Sequence, residues 1–223
     1  MANPGVHGAS SSLSISLLGE LAVMRDGEPV PLPASKRTRA LLGYLVATAR
    51  AQPRSALCDL LWDGPDDPRA SLRWSLTKLR PLVDSFGVAR LAADRERVAF
   101  EARGATVDVA STQALLAGGI PGLGLKALEQ AATLLHGEFL DGLDLPMCYR
   151  FHHWYLSERE RYGQLRRAVL ETLVHRLAGD AARALPYARA MVAADPLAEA
   201  THATLVGLLG AAGRYPDAEA HYA

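Results

Sequence analysis

The stretch Arg69–Val83 carries four cations, Arg69, Arg73, Lys78 and Arg80, and no acidic residue, in a chain with 24 basic and 24 acidic residues overall. Wound as a helix, it places Leu72, Leu76, Leu79 and Val83 between roughly 280° and 340° from Arg69, a narrow apolar stripe. Ala70, Arg73, Trp74, Thr77 and Lys78 fall between about 40° and 180°, on the other side. A guanidinium in that position can make paired hydrogen bonds to guanine in a major groove. Lys and Thr can reach phosphate or base edges, and small Ala70 and Ser71 permit close approach. An amphipathic helix with merely solvated cations has the same pattern, and Trp74 would serve equally as a packing residue. Arg69 and Arg80 flank the stripe, where Asp59 or Asp63 are available as ion-pair partners.

Two further basic groups bear on the same chemistry. Arg95 and Arg97 flank Glu96 at the tip of an expected hairpin, where an arginine can enter a minor groove or bind phosphate. A solvated turn is the alternative. Lys36, Arg37 and Arg39 open an expected helix, where cations oppose the helix dipole; phosphate contact and simple solvation both account for them.

Catalytic arrangements are hard to find. No phosphate-binding loop of the Walker type occurs. Gly118–Gly124 is glycine-rich, but it follows no strand and precedes no Lys/Ser pair, so it reads as a loop. His152 and His153 are adjacent and project from different sides of a helix, unlike the i, i+4 metal pair. His136, His175 and His202 stand alone. The Glu158–Arg161 run reads as a solvated face with i, i+3 pairs. The chain is expected not to be an enzyme, to need no cofactor or metal, and to offer no small-molecule site.

The elements that would position these residues follow from periodicity. Residues 1–12 are small and polar, and disorder is expected. Leu13, Ile15 and Leu17 alternate with serines, then Leu21 and Val23 continue after Gly19, as half-buried strands do. Asp26-Gly27 signals a hairpin leading into a third strand, Glu28–Leu32. Ser35 is placed to cap a helix over Lys36–Ala49. Gln52-Pro53 breaks it, and Ser55 is placed to cap a second helix, Ala56–Trp62. A dense turn, Asp63–Pro68, precedes the third helix, Arg69 to about Ser85. Val88–Ala93 and Val98–Glu101 then read as paired strands. Sheet, three helices and a hairpin make a winged helix-turn-helix over residues 13–108.

The rest, 109–223, reads as helical, over Val109–Ala117, Leu125–Leu135, Phe151–Leu177, Ala181–Ala194 and Leu197–Ala212, with an irregular Gly137–Met147. Gly179-Asp180 and Gly213-Arg214 begin similar helices 34 residues apart, the tetratricopeptide period. Ala200, Leu205, Leu208 and Leu209 would form the buried face of the second helix of that unit. The final helix, from Pro216, is short for independent stability, so the sequence is expected to continue past residue 223. The fold class is therefore α+β, mainly α.

Bulk properties set outer bounds. Residues 1–110 carry 14 basic and 12 acidic side chains, the remainder 10 and 12, so any affinity for nucleic acid must come from a local stripe. Two isolated cysteines, Cys58 and Cys148, make neither a disulfide framework nor a zinc site. No signal peptide or membrane span is legible, and a cytoplasmic location with no membrane partner is the expectation.

Leu17-Leu18-Gly19-Glu20-Leu21, the Arg39–Val46 helix, Leu60-Leu61-Trp62 and the run Ser71–Arg80 resemble the winged helix of SARP-type activators (Streptomyces antibiotic regulatory protein, the AfsR/DnrI class). Gly137–Leu143, Phe151, Trp154, Glu158–Glu160, Asp195–Glu199 and Gly213-Arg214 resemble the bacterial transcriptional activator domain that accompanies it. The resemblance spans roughly residues 13–223. It implies an OmpR-like winged helix that binds direct repeats of double-stranded DNA near promoters, and recruitment of RNA polymerase subunits. It also implies a tetratricopeptide-like second domain and further domains in the full-length chain. One departure is Pro81, expected to kink or end the recognition helix near Thr77–Arg80. A different class of function also fits the neutral charge: a protein-interaction scaffold whose winged helix does not bind DNA.

Overall fold

A computed structural model describes residues 12–63 and 67–222. The disorder expected of residues 1–12 thus lies, but for residue 12, outside the described residues, as does the middle of the turn before the third helix. The chain divides into two compact units, one of residues up to 110 with 140–155, the other of 111–139 with 156–223.

The first unit opens with β1 (Leu13–Ser16) and β2 (Ala22–Arg25), antiparallel with Ile15 opposite Val23. Leu13, Ile15 and Val23 are buried, as their alternation requires. Asp26 and Gly27 both take positive φ, 53° and 86°, the twist that joins strands with a two-residue turn. The strand after it, β3 (Glu28–Pro29), is shorter than the Glu28–Leu32 expected, because prolines at 31 and 33 offer no N–H to a ladder.

Ser35 caps α1 (Lys36–Thr48), its hydroxyl accepting from the Thr38 N–H. Next come β4 (Gln52–Pro53) and α2 (Arg54–Leu61). Ser55 is not the cap of α2: the helix starts one residue before it, and the preceding Gln52-Pro53 pairs as a strand rather than only breaking the chain. Then follow α3 (Pro68–Val83), β5 (Leu91–Ala93) and β6 (Arg97–Phe100). Strands β4, β6 and β5 form a three-stranded sheet in that order. With α2, α3 and the β5–β6 hairpin in place, this is a winged helix-turn-helix.

β7 (Thr106–Val107) returns to pair parallel with β1, completing a four-stranded sheet of order β3-β2-β1-β7. Asp108 begins α4 (Asp108–Leu116), and its carboxylate accepts from the Leu17 and Leu18 N–H groups at 2.7 and 2.8 Å. Residues 140–155 also belong to this unit. The Leu140 N–H donates to Leu17 O, and its side chain lies against Gly43, where a Cβ would come within 2.9 Å of the Leu140 Cδ1.

The second unit is helical. It contains the rest of α4, α5 (Leu125–Leu134), the larger part of α6 (Tyr149–Arg176), α7 (Ala181–Ala194), α8 (Glu199–Ala211) and α9 (Tyr215–Tyr222). Phe139 stacks on Tyr162 with ring centroids 5.4 Å apart, and the Gln113 amide donates to the Tyr162 hydroxyl at 3.0 Å. Leu185 and Ala188 of α7 pack with Leu205 and Leu209 of α8, with Leu208 and Ala218 alongside. Asp180 caps α7, and Gly213, at φ 70°, turns the chain from α8 into α9. This is the expected tetratricopeptide-like pairing, except that Ala200 is exposed rather than buried. No helix among the described residues is long and apolar enough to cross a membrane.

Candidate nucleic-acid interface

Helix α3 is strongly anchored at its start. The Asp67 carboxylate accepts from the Arg69 and Ala70 N–H groups, both at 3.0 Å, and Pro68 occupies the first turn, where its missing N–H costs nothing. Leu72, Leu76, Leu79 and Val83 are all buried, with Ser75 and Leu82 beside them. The anchoring holds at the other end as well. Pro81, expected to kink or end the helix near Thr77–Arg80, lies inside it; the helix runs on to Val83, close to the end near Ser85 that its periodicity predicts. Two arginines satisfy its terminal carbonyls. The Arg25 guanidinium donates to the Pro81, Leu82 and Asp84 oxygens at 3.0–3.1 Å. Arg90 donates to Val83 O at 2.8 Å and, from Nε, to Ala102 O at 3.0 Å. Positive charge there also complements the negative end of the helix dipole.

On the face opposite the leucines, Arg73, Trp74, Thr77 and Lys78 are exposed and Ala70 is half-buried. Trp74 is 52% accessible and Arg73 62% by side chain. Lys78 lies over the Trp74 ring, its Nζ 5.5 Å from the centroid, a cation–π contact that leaves the ammonium in solvent. The Thr77 hydroxyl donates to the Arg73 carbonyl at 3.0 Å. Its lone pairs and methyl are therefore what it offers outward, which suits an amino group or a thymine methyl on a base edge better than a phosphate oxygen. Arg73 is near Asp67 at 4.0 Å, too loose and too exposed to immobilise it. Arg69 and Arg80 are exposed and, among the described residues, take neither Asp59 nor Asp63 as partner; Asp59 instead lies 3.8 Å from Arg150.

The hairpin tip is fixed by Asp94. Its carboxylate accepts from the Glu96 and Arg97 N–H groups, both at 2.7 Å. These two bonds hold it below its ordinary value of 3.8. Arg54 ties the tip to α2: its N–H donates to Glu96 O at 2.8 Å and its guanidinium to Asp94 O at 3.1 Å. An open cleft of about 920 Å³ results between the starts of α2 and α3 and the hairpin. Arg54, Arg69, Arg73, Arg95 and Arg97 line it, against the acids Asp94 and Glu96. That is a local surplus of positive charge in a chain with none overall.

Of the residues singled out from sequence, Arg69, Arg73, Arg95 and Arg97 thus share one cleft, and Trp74, Thr77 and Lys78 lie further along the exposed face of α3. Lys36 and Arg37 are exposed in the first turn of α1 and are not part of the cleft wall. A buried bond between Thr38 and Ser75, 2.9 Å between hydroxyl oxygens, links that turn to α3. Sequence reasoning missed Arg54; its signal is a cation directly after a proline that starts a helix. Among the described residues there is no group of three or more possible metal ligands.

Residues 101–223 match the family described as bacterial transcriptional activator domain. No curated protein matches the chain. Among solved structures, Mycobacterium tuberculosis EmbR in complex with a low affinity phosphopeptide superimposes with a TM-score of 0.58 at 25% identity, covering 96% of this chain and 58% of EmbR. The chain therefore spans a little over half the length of that solved protein.

Proposed function

The chain belongs to the bacterial transcriptional activator domain family, as a SARP-type regulator of transcription, and we propose that it acts by binding double-stranded DNA through α3 and the β5–β6 hairpin. In this reading, residues 13–108 form the DNA-binding module and 109–223 the helical activator module. Arg73, Trp74 and Thr77 read base edges in a major groove. Lys78 and Arg69 hold phosphate, Arg95 and Arg97 contact the adjoining backbone or minor groove, and Lys36 and Arg37 bind phosphate at the start of α1. Arg54 joins them from the cleft wall. The target is a pair of direct repeats near a promoter, the helical module contacts RNA polymerase, and the protein works in the cytoplasm.

One observation carries the reading: the acid-free side of α3 is exposed and opens at its start onto a cleft walled by five arginines. The neutral total charge is no obstacle, since affinity depends on the few phosphates neutralised locally. The test is selection of genomic fragments by the full chain, followed by a salt titration on the enriched fragment. Enrichment of fragments with a repeated half-site, bound less tightly as salt rises, is the expected result. Absence of enrichment, with binding indifferent to salt, would favour the scaffold reading.

A further inference from the structure

A second concentration of arginines lies in the helical unit, and none of them is among the residues assigned to DNA. A cleft of about 380 Å³ there is lined by Arg159, Arg166 and Arg167 of α6, with Glu138 and Glu160. The two acids are already engaged. Glu138 pairs with Arg159, and Glu160 accepts from Arg167 at 3.2 Å and from the Gln164 amide at 2.8 Å. Arg166 is half-buried and, among the described residues, has no hydrogen bond or ion pair. Burial alone pulls its guanidinium below the ordinary arginine value, with no neighbouring acid to offset it.

Apart from Leu156, the remaining walls are small. Gly137, Gly163, Ala193 and Ala194 line the same cleft. Gly163 sits in the interior of α6, where glycine costs about 1 kcal/mol relative to alanine. A Cβ there would meet nothing within 4 Å, so packing does not demand the glycine. What the glycine preserves is open space in front of an uncompensated cation.

We propose that this cleft is a binding site for a small anion bearing a phosphate or carboxylate group, held by Arg166 and admitted by Gly163. Its size falls within the range of small-ligand pockets, about 300–1,000 Å³. A guanidinium with all its donors unused is the side chain best matched to either oxyanion. An anion bound in the activator module is placed to act as an effector of the regulator. The site stands whether or not α3 binds DNA.

The test is a titration of the full, isotope-labelled chain with inorganic phosphate and with citrate, at constant ionic strength in chloride, read by amide NMR shifts at Gly137, Gly163 and Ala193. A hexaglutamate peptide forms a further arm. Saturable shifts at those amides with phosphate or citrate are expected. Arg166→Gln should weaken binding there about tenfold or more, and Gly163→Met, which fills the cleft without removing charge, should do the same. A cation at Arg166 also suits the carbonyl end of α7 at Ala194. A role confined to that would leave the titration unaltered in Arg166→Gln and would overturn the proposal. So would shifts that do not saturate, or shifts produced by the peptide alone.

Discussion

The Thr38 and Ser75 hydroxyls share a hydrogen bond of 2.9 Å in the interior of the winged helix, joining the first turn of α1 to the middle of α3. Both residues are buried. The pair joins the helix turn that carries Lys36 and Arg37 to the helix that carries Arg73 and Lys78.

Thr38→Val keeps the shape at this site and leaves the Ser75 hydroxyl buried without its partner. The expected cost is about 1–3 kcal/mol of folding stability. Ser75→Ala made alone should cost a similar amount, while the double variant should recover most of the loss, because neither polar group is then stranded. Urea denaturation of the four proteins checks this; strictly additive losses would show that the bond contributes nothing beyond packing.

Arg90 is buried to 4% accessibility and ties together the end of α3 and the base of the hairpin through the Val83 and Ala102 carbonyls. A lysine ammonium cannot reach two such acceptors with the geometry of a guanidinium. Arg90→Lys should therefore destabilise the first unit by about 2–4 kcal/mol, as carbonyls lose partners in the core. Thermal unfolding measures it. A loss within about 0.5 kcal/mol, the range typical of surface sites, would contradict the account.

Asp94 is held below its ordinary value of 3.8 by the Glu96 and Arg97 N–H groups. A depressed folded value means that the carboxylate stabilises the hairpin tip above its unfolded value, and that this contribution disappears as pH falls through the lower, folded value. Carboxyl NMR of Asp94 should give a midpoint under 3.8, and the amide protection of residues 96 and 97 should fall along the same curve. In Asp94→Asn that protection should not change over the same pH window. A midpoint at or above 3.8 would show that the tip is not closed by these bonds.

Much of this arrangement was legible in the sequence, for identifiable reasons. A stripe of Leu72, Leu76, Leu79 and Val83 declares a one-sided helix because only helical spacing puts those four together, and Asp26-Gly27 declares a hairpin because few residues accept two positive φ values in succession. Periodicity places the end of α3 near Ser85, but what carries the helix past Pro81 was not legible, since the arginines that satisfy its carbonyls, Arg25 and Arg90, come from distant parts of the chain. Local sequence carries no trace of such partners. For Arg54 the sequence shows only a cation after a helix-starting proline, and for Arg166 only one more arginine in a charged helix; tertiary placement shows one sharing a cleft wall and the other left without an acid.

The claim on which the functional reading turns is that the exposed side of α3 meets DNA phosphates and bases. The most direct measurement is the dependence of log Kd on log salt for the enriched fragment, compared between the native chain, Lys78→Ala and Arg73→Ala. The account predicts that binding weakens steeply with salt. Lys78→Ala should lower the slope by about one and weaken all sequences alike, while Arg73→Ala should relax the preference at one base by about 1–3 kcal/mol. Equal slopes and unchanged base preference in all three proteins would contradict it.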